Sequence, residues 1–162
     1  MTIQPYSHVG LLVHDLDAAV ARFGEVLNLT FAQPNVAHVD HMEEDGKVEP
    51  IDLRITYSQQ GPPYYELIET QEGGGIYSKE YGEGLHHIGL WEPDCEARLD
   101  TLKSKGLEPQ AIQYTAKNRI AVVYFRPAGL HGMRLEIIDQ AHQPSIEEWI
   151  NGGVFRGPGG LD

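Results

Sequence analysis

Gly84-Leu85-His86-His87-Ile88-Gly89-Leu90 puts a histidine at the entry of a short apolar strand, and Ser7-His8-Val9-Gly10-Leu11-Leu12-Val13 does the same near the N-terminus. One histidine entering a strand is ordinary. The same entry made twice, each time followed by an acidic break and a helical pattern, predicts a duplicated module carrying paired ligands. Sliding the chain along itself until His8 falls on His87 also lays Val9 on Ile88, Gly10 on Gly89, Leu11 on Leu90, Asp15 on Asp94 and Ala18 on Ala97.

Working outward, His8 to Val13 is nearly continuous in apolar character and reads as a strand buried on both faces. Asp15 is a suitable N-cap for a helix carrying Ala18, Ala19, Val20, Phe23, Val26 and Leu27 at helical spacing and ending near Asn28. Residues 34–50 are polar and read as a mobile loop. Ile51 to Tyr57 alternates as a half-buried strand, Gln59 to Pro63 is a turn, and Tyr64 to Glu69 is its antiparallel partner with Glu66 inside it. Residues 70–84 form a Gly-rich connector. In the second half His87 to Trp91 is a strand, Pro93-Asp94 opens a helix that Gly106 stops, Ile120 to Phe125 is a strand, and Met133 to Ile138 closes the unit with Glu136 in its middle. Ser145 caps a short helix over Ile146 to Ile150, and the Gly-rich tail from Gly152 reads as mobile. The whole is one domain over residues 1–162, made of two modules at about 6–70 and 85–140.

The bulk properties exclude several classes. The 162 residues are 41% apolar, with no run long enough to span a bilayer, and Val9 to Val13 is too short for a secretory leader. A formal charge of −12 argues against nucleic acid, whose binding needs clustered Lys and Arg. The single cysteine, Cys95, allows no intrachain disulfide and suits a reducing cytoplasm.

The chemistry sits in the repeat. His8 and His87 enter equivalent strands, and Glu66 follows the first at much the same remove as Glu136 follows the second. The first module is the longer by the excess in its polar stretch at 34–50. Modules packed about a pseudo-twofold axis bring two imidazoles and two carboxylates into one cleft. That set suits one borderline divalent ion, Zn, Ni, Co, Mn or Fe, and six-coordinate geometry leaves two positions for water or substrate oxygens. Alignment with His8 selects His87 over His86, which is expected to point to the opposite face. Tyr57, Tyr64, Tyr65, Tyr114, Tyr124 and Phe125 are aromatic candidates for a hydrophobic or cyclic substrate.

The stretches His8-Val9-Gly10-Leu11, Tyr65-Glu66-Leu67-Ile68, His86-His87-Ile88-Gly89-Leu90 and Pro127-x-Gly129-x-His131-Gly132-x-x-x-Glu136 resemble the vicinal oxygen chelate superfamily, in its glyoxalase and methylmalonyl-CoA epimerase-like branch, over about residues 6–140. The resemblance implies an α+β fold of two paired βαβββ modules, a curved, half-barrel-like mixed sheet around a metal cleft, and metal ligands at His8, Glu66, His87 and Glu136. It implies a small-molecule substrate, a homodimer, and an epimerase, isomerase or lyase working through a metal-stabilised enolate. Glu136 and Glu49, the latter upstream of Glu66, stand where the acid/base groups fall. Glu49 is followed by Pro50 rather than the family's glycine-containing phrase. Tyr57, Tyr114, Tyr124 and His131 are expected to meet the substrate. Two other functions share the scaffold: an Fe(II) extradiol-type dioxygenase using His8, His87 and Glu136, and a non-catalytic small-molecule or antibiotic-binding protein.

Overall fold

A computed structural model describes residues 6–73 and 75–156. Its elements are β1 (Tyr6–Val13), α1 (Leu16–Leu27), β2 (Asn35–Glu44), β3 (Lys47–Tyr57), β4 (Tyr64–Glu69), β5 (Gly84–Glu92), α2 (Cys95–Ser104), β6 (Pro109–Tyr114), β7 (Ile120–Phe125), β8 (Leu135–Asp139) and α3 (Gln143–Ile150). The starts of α1 and α2 follow the caps, whereas α3 begins at Gln143 with no side-chain cap and takes the expected cap, Ser145, inside the helix. Asp15 accepts from the Ala18 amide and Asp94 from the Ala97 amide, each satisfying one orphan donor of the first turn. Asn28 ends α1 in the left-handed region at φ 55°.

Each module is strand, helix, then three antiparallel-linked strands, with its first strand parallel to its last: β1 with β4, and β5 with β8. The two half-barrels join along both edges, β1 against β5 and β2 against β6. The result is a closed eight-stranded mixed barrel in the order β1-β4-β3-β2-β6-β7-β8-β5. The cleft foreseen between the modules is therefore the barrel's interior. Inside it pack Leu12, Val39, Leu53, Ile68, Val122 and Ile138. The helices cover the outside. Leu16 on α1 packs with Val13 and Leu67, and Cys95 and Leu102 on α2 pack with Val123, Phe125 and Ile137. Each of these large side chains contributes roughly 1.5–3 kcal/mol on burial.

Two readings need correction, those of residues 34–50 and of the tail. Residues 34–50 are the long β2–β3 hairpin, not a mobile loop. Its turn is Asp45-Gly46 with φ 51° and φ 80°, the two-residue connection in which both central residues must be left-handed. The Gly-rich connector closes one end of the barrel, because Ile76 and Tyr77 are fully buried within the interior cluster. The segment after Gly152 is held as far as Arg156, with the Phe155 ring 4.6 Å from that of Trp149; residues 157–162 of the tail lie outside the described residues. Strand β6, absent from the sequence reading, supplies the edge on which β2 closes the barrel.

Candidate metal centre

The four predicted ligands meet in the barrel interior. His8 and His87 face each other from β1 and β5, with Nε2 atoms 2.8 Å apart. Glu66 on β4 brings Oε2 to 3.2 Å and 3.1 Å from the two Nε2 atoms, and Glu136 on β8 brings its Oε2 to 2.9 Å and 3.3 Å. All four side chains are buried, between 1% and 6% exposed. The symmetry predicted by the repeat is visible in the packing. His8 lies across the ladder from Gly89, and His87 from Gly10. A Cβ on Gly10 would run into the His87 ring, and one on Gly89 would meet His8 and the Glu136 carboxylate. Each module's glycine thus makes room for the other module's imidazole.

Tyrosines hold the carboxylates from the outer side. The Tyr57 hydroxyl donates to Glu66 Oε1 at 2.7 Å, and Tyr57 stands opposite Glu66 in the β3–β4 ladder. Tyr124 stands opposite Glu136 in the β7–β8 ladder and its hydroxyl bonds that carboxylate. Burial raises both tyrosines far above the ordinary phenol value, so they stay protonated donors. In both glutamates the remaining oxygen, Oε2, is buried and in no hydrogen bond of acceptable geometry.

That arrangement fits a divalent ion. Bonds of about 2.0–2.2 Å to nitrogen and carboxylate oxygen put neighbouring donors roughly 2.8–3.5 Å apart, and the imidazole–imidazole and the four imidazole–carboxylate pairs span 2.8–3.3 Å. Two carboxylates balance a 2+ charge, and two imidazoles with two carboxylates suit the borderline metals. The ligand atoms of His8, His87 and Glu136 all lie within 4.8 Å of one another; Glu66 is close to both imidazoles but falls outside that grouping. The electrostatics agree. Burial disfavours ionised Glu66, yet the His8 and His87 imidazoles outweigh it and hold the carboxyl down at about 2. Glu136 is lowered further by the same partners, again against burial. Burial opposes charge on His8 as well, and Glu66 and Glu136 overcome it, pushing its pKa up to about 10; His87 is raised likewise.

A cavity opens beside the cluster. Glu66, Glu136, Tyr57 and Tyr124 form part of its wall, Leu53, Ile55, Ile68, Val122 and Ile138 make the wall apolar, and Trp149 with Phe155 lies on its α3 side. Two expected substrate contacts, Tyr57 and Tyr124, therefore line it. Tyr114 does not: Gln113 is the residue of β6 that faces inward, so Tyr114 packs outside with the α2 cluster, its hydroxyl 3.3 Å from Glu43. His131 is exposed in the turn before β8, in the left-handed region at φ 54°. Glu49 is exposed on β3 opposite Met42, near the Asp45-Gly46 turn, whereas Tyr57 at the far end of that strand meets Glu66. Sequence reasoning missed Gln113, His142 and Trp149 in the cavity wall and assigned His86 to the wrong face. The Gly10 and Gly89 positions were aligned by the repeat, but their role as ring cradles was not drawn from it.

A duplicated half-barrel with two histidines and two glutamates at its centre defines a class of protein, and the comparisons agree with it. The chain belongs to the Glyoxalase/Bleomycin resistance protein/Dioxygenase superfamily, the vicinal oxygen chelate proteins, whose family model matches residues 7–124. Among solved structures it is similar to Streptomyces coelicolor methylmalonyl-CoA epimerase (Q60A) in complex with 2-nitronate-propionyl-CoA, at 20% identity and a TM-score of 0.60 over 86% of this chain and 99% of that one. It is also similar to methylmalonyl-CoA epimerase from Mycobacterium tuberculosis, at 18% identity and a TM-score of 0.59 over 83% and 86% of the two chains. A hypothetical protein from Bacillus halodurans matches at 20% identity and a TM-score of 0.55, over 85% of this chain and 95% of that one. These likenesses are of fold. A search of curated proteins gives no match. Among the described residues no helix is long and apolar enough to cross a membrane.

Proposed function

We propose that the protein is an enzyme that binds one divalent ion through His8, Glu66, His87 and Glu136 and moves a proton at a carbon next to a carbonyl, as an epimerase, isomerase or lyase of small acyl or carbonyl compounds. The observation that carries this reading is the four-donor cluster, with its two inward Oε2 atoms, set in the wall of an apolar cavity. A divalent ion held there supplies Lewis-acid polarisation of the substrate's oxygens. The chain's own residues do the rest. Tyr57 and Tyr124 fix the rotamers of Glu66 and Glu136. The apolar wall excludes water and strengthens every charge interaction inside. Glu136, which lines the cavity, takes and returns the proton. The exposed setting of Glu49 gives it no comparable support.

The epimerase neighbours support an acyl thioester as substrate, and the lining supports an apolar acyl group. A cytoplasmic setting suits the buried free thiol of Cys95, and a homodimer, checked by light scattering, belongs to the same reading. The reading is tested by following hydrogen exchange from heavy water at the α-carbon across a panel of acyl-CoA and hemithioacetal substrates. Deuterium incorporation without oxygen uptake is expected, and lost in Glu136→Gln. A ring-cleaving dioxygenase is the second reading, supported by the His8, His87 and Glu136 grouping, which matches the two-histidine, one-carboxylate triad of non-haem iron. Glu66, as a fourth donor, weighs against it. Oxygen consumption with Fe(II) and a catechol, and no exchange at any α-carbon, would replace the first reading with the second.

A further inference from the structure

The β1–β5 ladder slips twice. Tyr6 pairs with Leu90 but His8 with Gly89, so Ser7 is an extra residue on β1. Gly10 pairs with His87 but Leu11 with Leu85, so His86 is an extra residue on β5. Ser7 and His86 each stand directly before the ligand histidine of their module, so the two bulges are equivalent in the repeat. A bulge puts two consecutive residues opposite one and re-aims a side chain that a regular strand would send to the other face. Here each bulge turns the residue before a ligand histidine back onto that histidine. Ser7 Oγ lies 3.0 Å from His8 Nδ1, and His86 Nδ1 lies 2.9 Å from His87 Nδ1.

The hydrogens on the second pair can be assigned. His86 Nε2 is 2.7 Å from the Ile76 carbonyl, which only accepts, so Nε2 carries the proton and donates. The His86 ring packs against those of Tyr77, His87 and Tyr124. His87 turns Nε2 to the cluster, so a ligand bond through Nε2 leaves the ring's proton on Nδ1. His87 Nδ1 then donates to His86 Nδ1, which accepts while its own Nε2–H is given to Ile76.

We propose that His86 is the positioning residue of the metal centre: the bulge and the Ile76 carbonyl of the connector hold its Nδ1 against His87 Nδ1 as an acceptor, and it sets the His87 ring with Nε2 turned to the metal. Ser7 serves His8 in the same way, through a hydroxyl that can turn. The connector therefore has a chemical task besides closing the barrel, since its backbone oxygen ends the relay Ile76 C=O, His86, His87. The inference rests on reading His87 as a metal ligand. Outer partners of ligand histidines raise ligand basicity and hold the ring, and their loss costs about 10–100-fold in metal affinity.

The test uses the full chain and three readouts. Long-range 1H–15N spectra of the Zn2+-loaded protein report which His87 nitrogen keeps its proton, 15N–15N coupling across the His87 Nδ1–His86 Nδ1 hydrogen bond reports the relay, and chelator competition with Zn2+ or Co2+ reports affinity. Wild type is expected to show His87 protonated at Nδ1, with that coupling present. His86→Phe, which keeps a ring against Tyr77 but offers no acceptor, is expected to show about 10–100-fold weaker metal binding. His86→Asn, whose amide oxygen accepts from Nδ1–H, is expected to restore affinity to within about threefold of wild type. Wild-type affinity in His86→Phe, or no coupling in wild type, would overturn the inference. If wild type binds no metal, the proposed function fails, and the coupling between the two Nδ1 atoms in the metal-free protein still decides the relay.

Discussion

Gly89→Ala tests the geometry at the point where the two modules interlock. An alanine Cβ at this position would stand 2.7 Å from both Glu136 Oε2 and His8 Nδ1, and nearer still to His8 Cε1. Non-bonded heavy atoms settle at about 3.5 Å or more, so the carboxylate must retreat by roughly 0.8 Å and the imidazole, whose Cε1 is the nearest atom, by about 1.2 Å. A metal site tolerates about 0.2 Å in its bond lengths. The displacement exceeds that several-fold and acts on two of the four donors together. Metal affinity should fall by more than about 100-fold, beyond the loss typical of an outer partner. Overpacking should also cost about 1–3 kcal/mol of stability, a loss of roughly 2–12 °C in Tm for a chain of this size. Equilibrium dialysis against Zn2+ and thermal melts with and without metal measure both. The control is Gly129→Ala, where the nearest atom is 3.5 Å away and nothing need move. If Gly89→Ala binds metal within about threefold of wild type, Gly89 is not the cradle of the His8 ring.

The tyrosine supports lead to a milder expectation. Tyr57→Phe removes the donor to Glu66 Oε1 while keeping the ring, so chelator competition should show metal binding weakened about tenfold with little change in circular dichroism. Metal binding must displace protons held by the cluster, and with His8 at about 10 at least one proton leaves per ion throughout the neutral range. Affinity should therefore rise at least about tenfold per pH unit between pH 6 and 8 in buffer-independent titrations. For the metal-free fold the signs oppose. Glu66, lowered to about 2, contributes stability that is present above its unfolded pKa and lost as pH falls toward 2, whereas His8, raised to about 10, contributes stability lost as pH rises through 10. Denaturation midpoints should decline at both extremes. Trp149→Ala removes a 3%-exposed ring between the cavity and α3 and should cost about 3–5 kcal/mol; substrate affinity should fall with it.

The repeat carried the fold. Asp15 and Asp94 cap the helices where expected, and the match of the two halves brings His8, Glu66, His87 and Glu136 together because equivalent strands in equivalent modules must converge about one axis. What stayed hidden was hidden by local breaks in periodicity. In β2 a bulge between Val39 and Met42 interrupts the alternation that would have marked a strand. The outer face, with His38, Asp40, His41 and Glu43, then made the stretch look like a polar loop. The Asp45-Gly46 turn, left-handed at both residues, is the local sign of a hairpin. His86 was sent to the wrong face for the same reason, since strict alternation holds only where the ladder has no extra residue. The offset of Glu49 from Glu66 gave a sequence position but no geometry, and the hairpin leaves that side chain in solvent. Tyr114 belongs to the outer half of an amphipathic strand whose inner residue, Gln113, is polar, so polarity alone named the wrong face.

The central claim is that His8, Glu66, His87 and Glu136 hold one divalent ion. The most direct measurement is metal stoichiometry after reconstitution and dialysis, on wild type and on His87→Ala and Glu136→Ala variants whose folding is verified by circular dichroism. One ion per chain in wild type, and none in either variant, is the predicted result. Folded variants that retain a full ion, or a wild type that retains none, would contradict it.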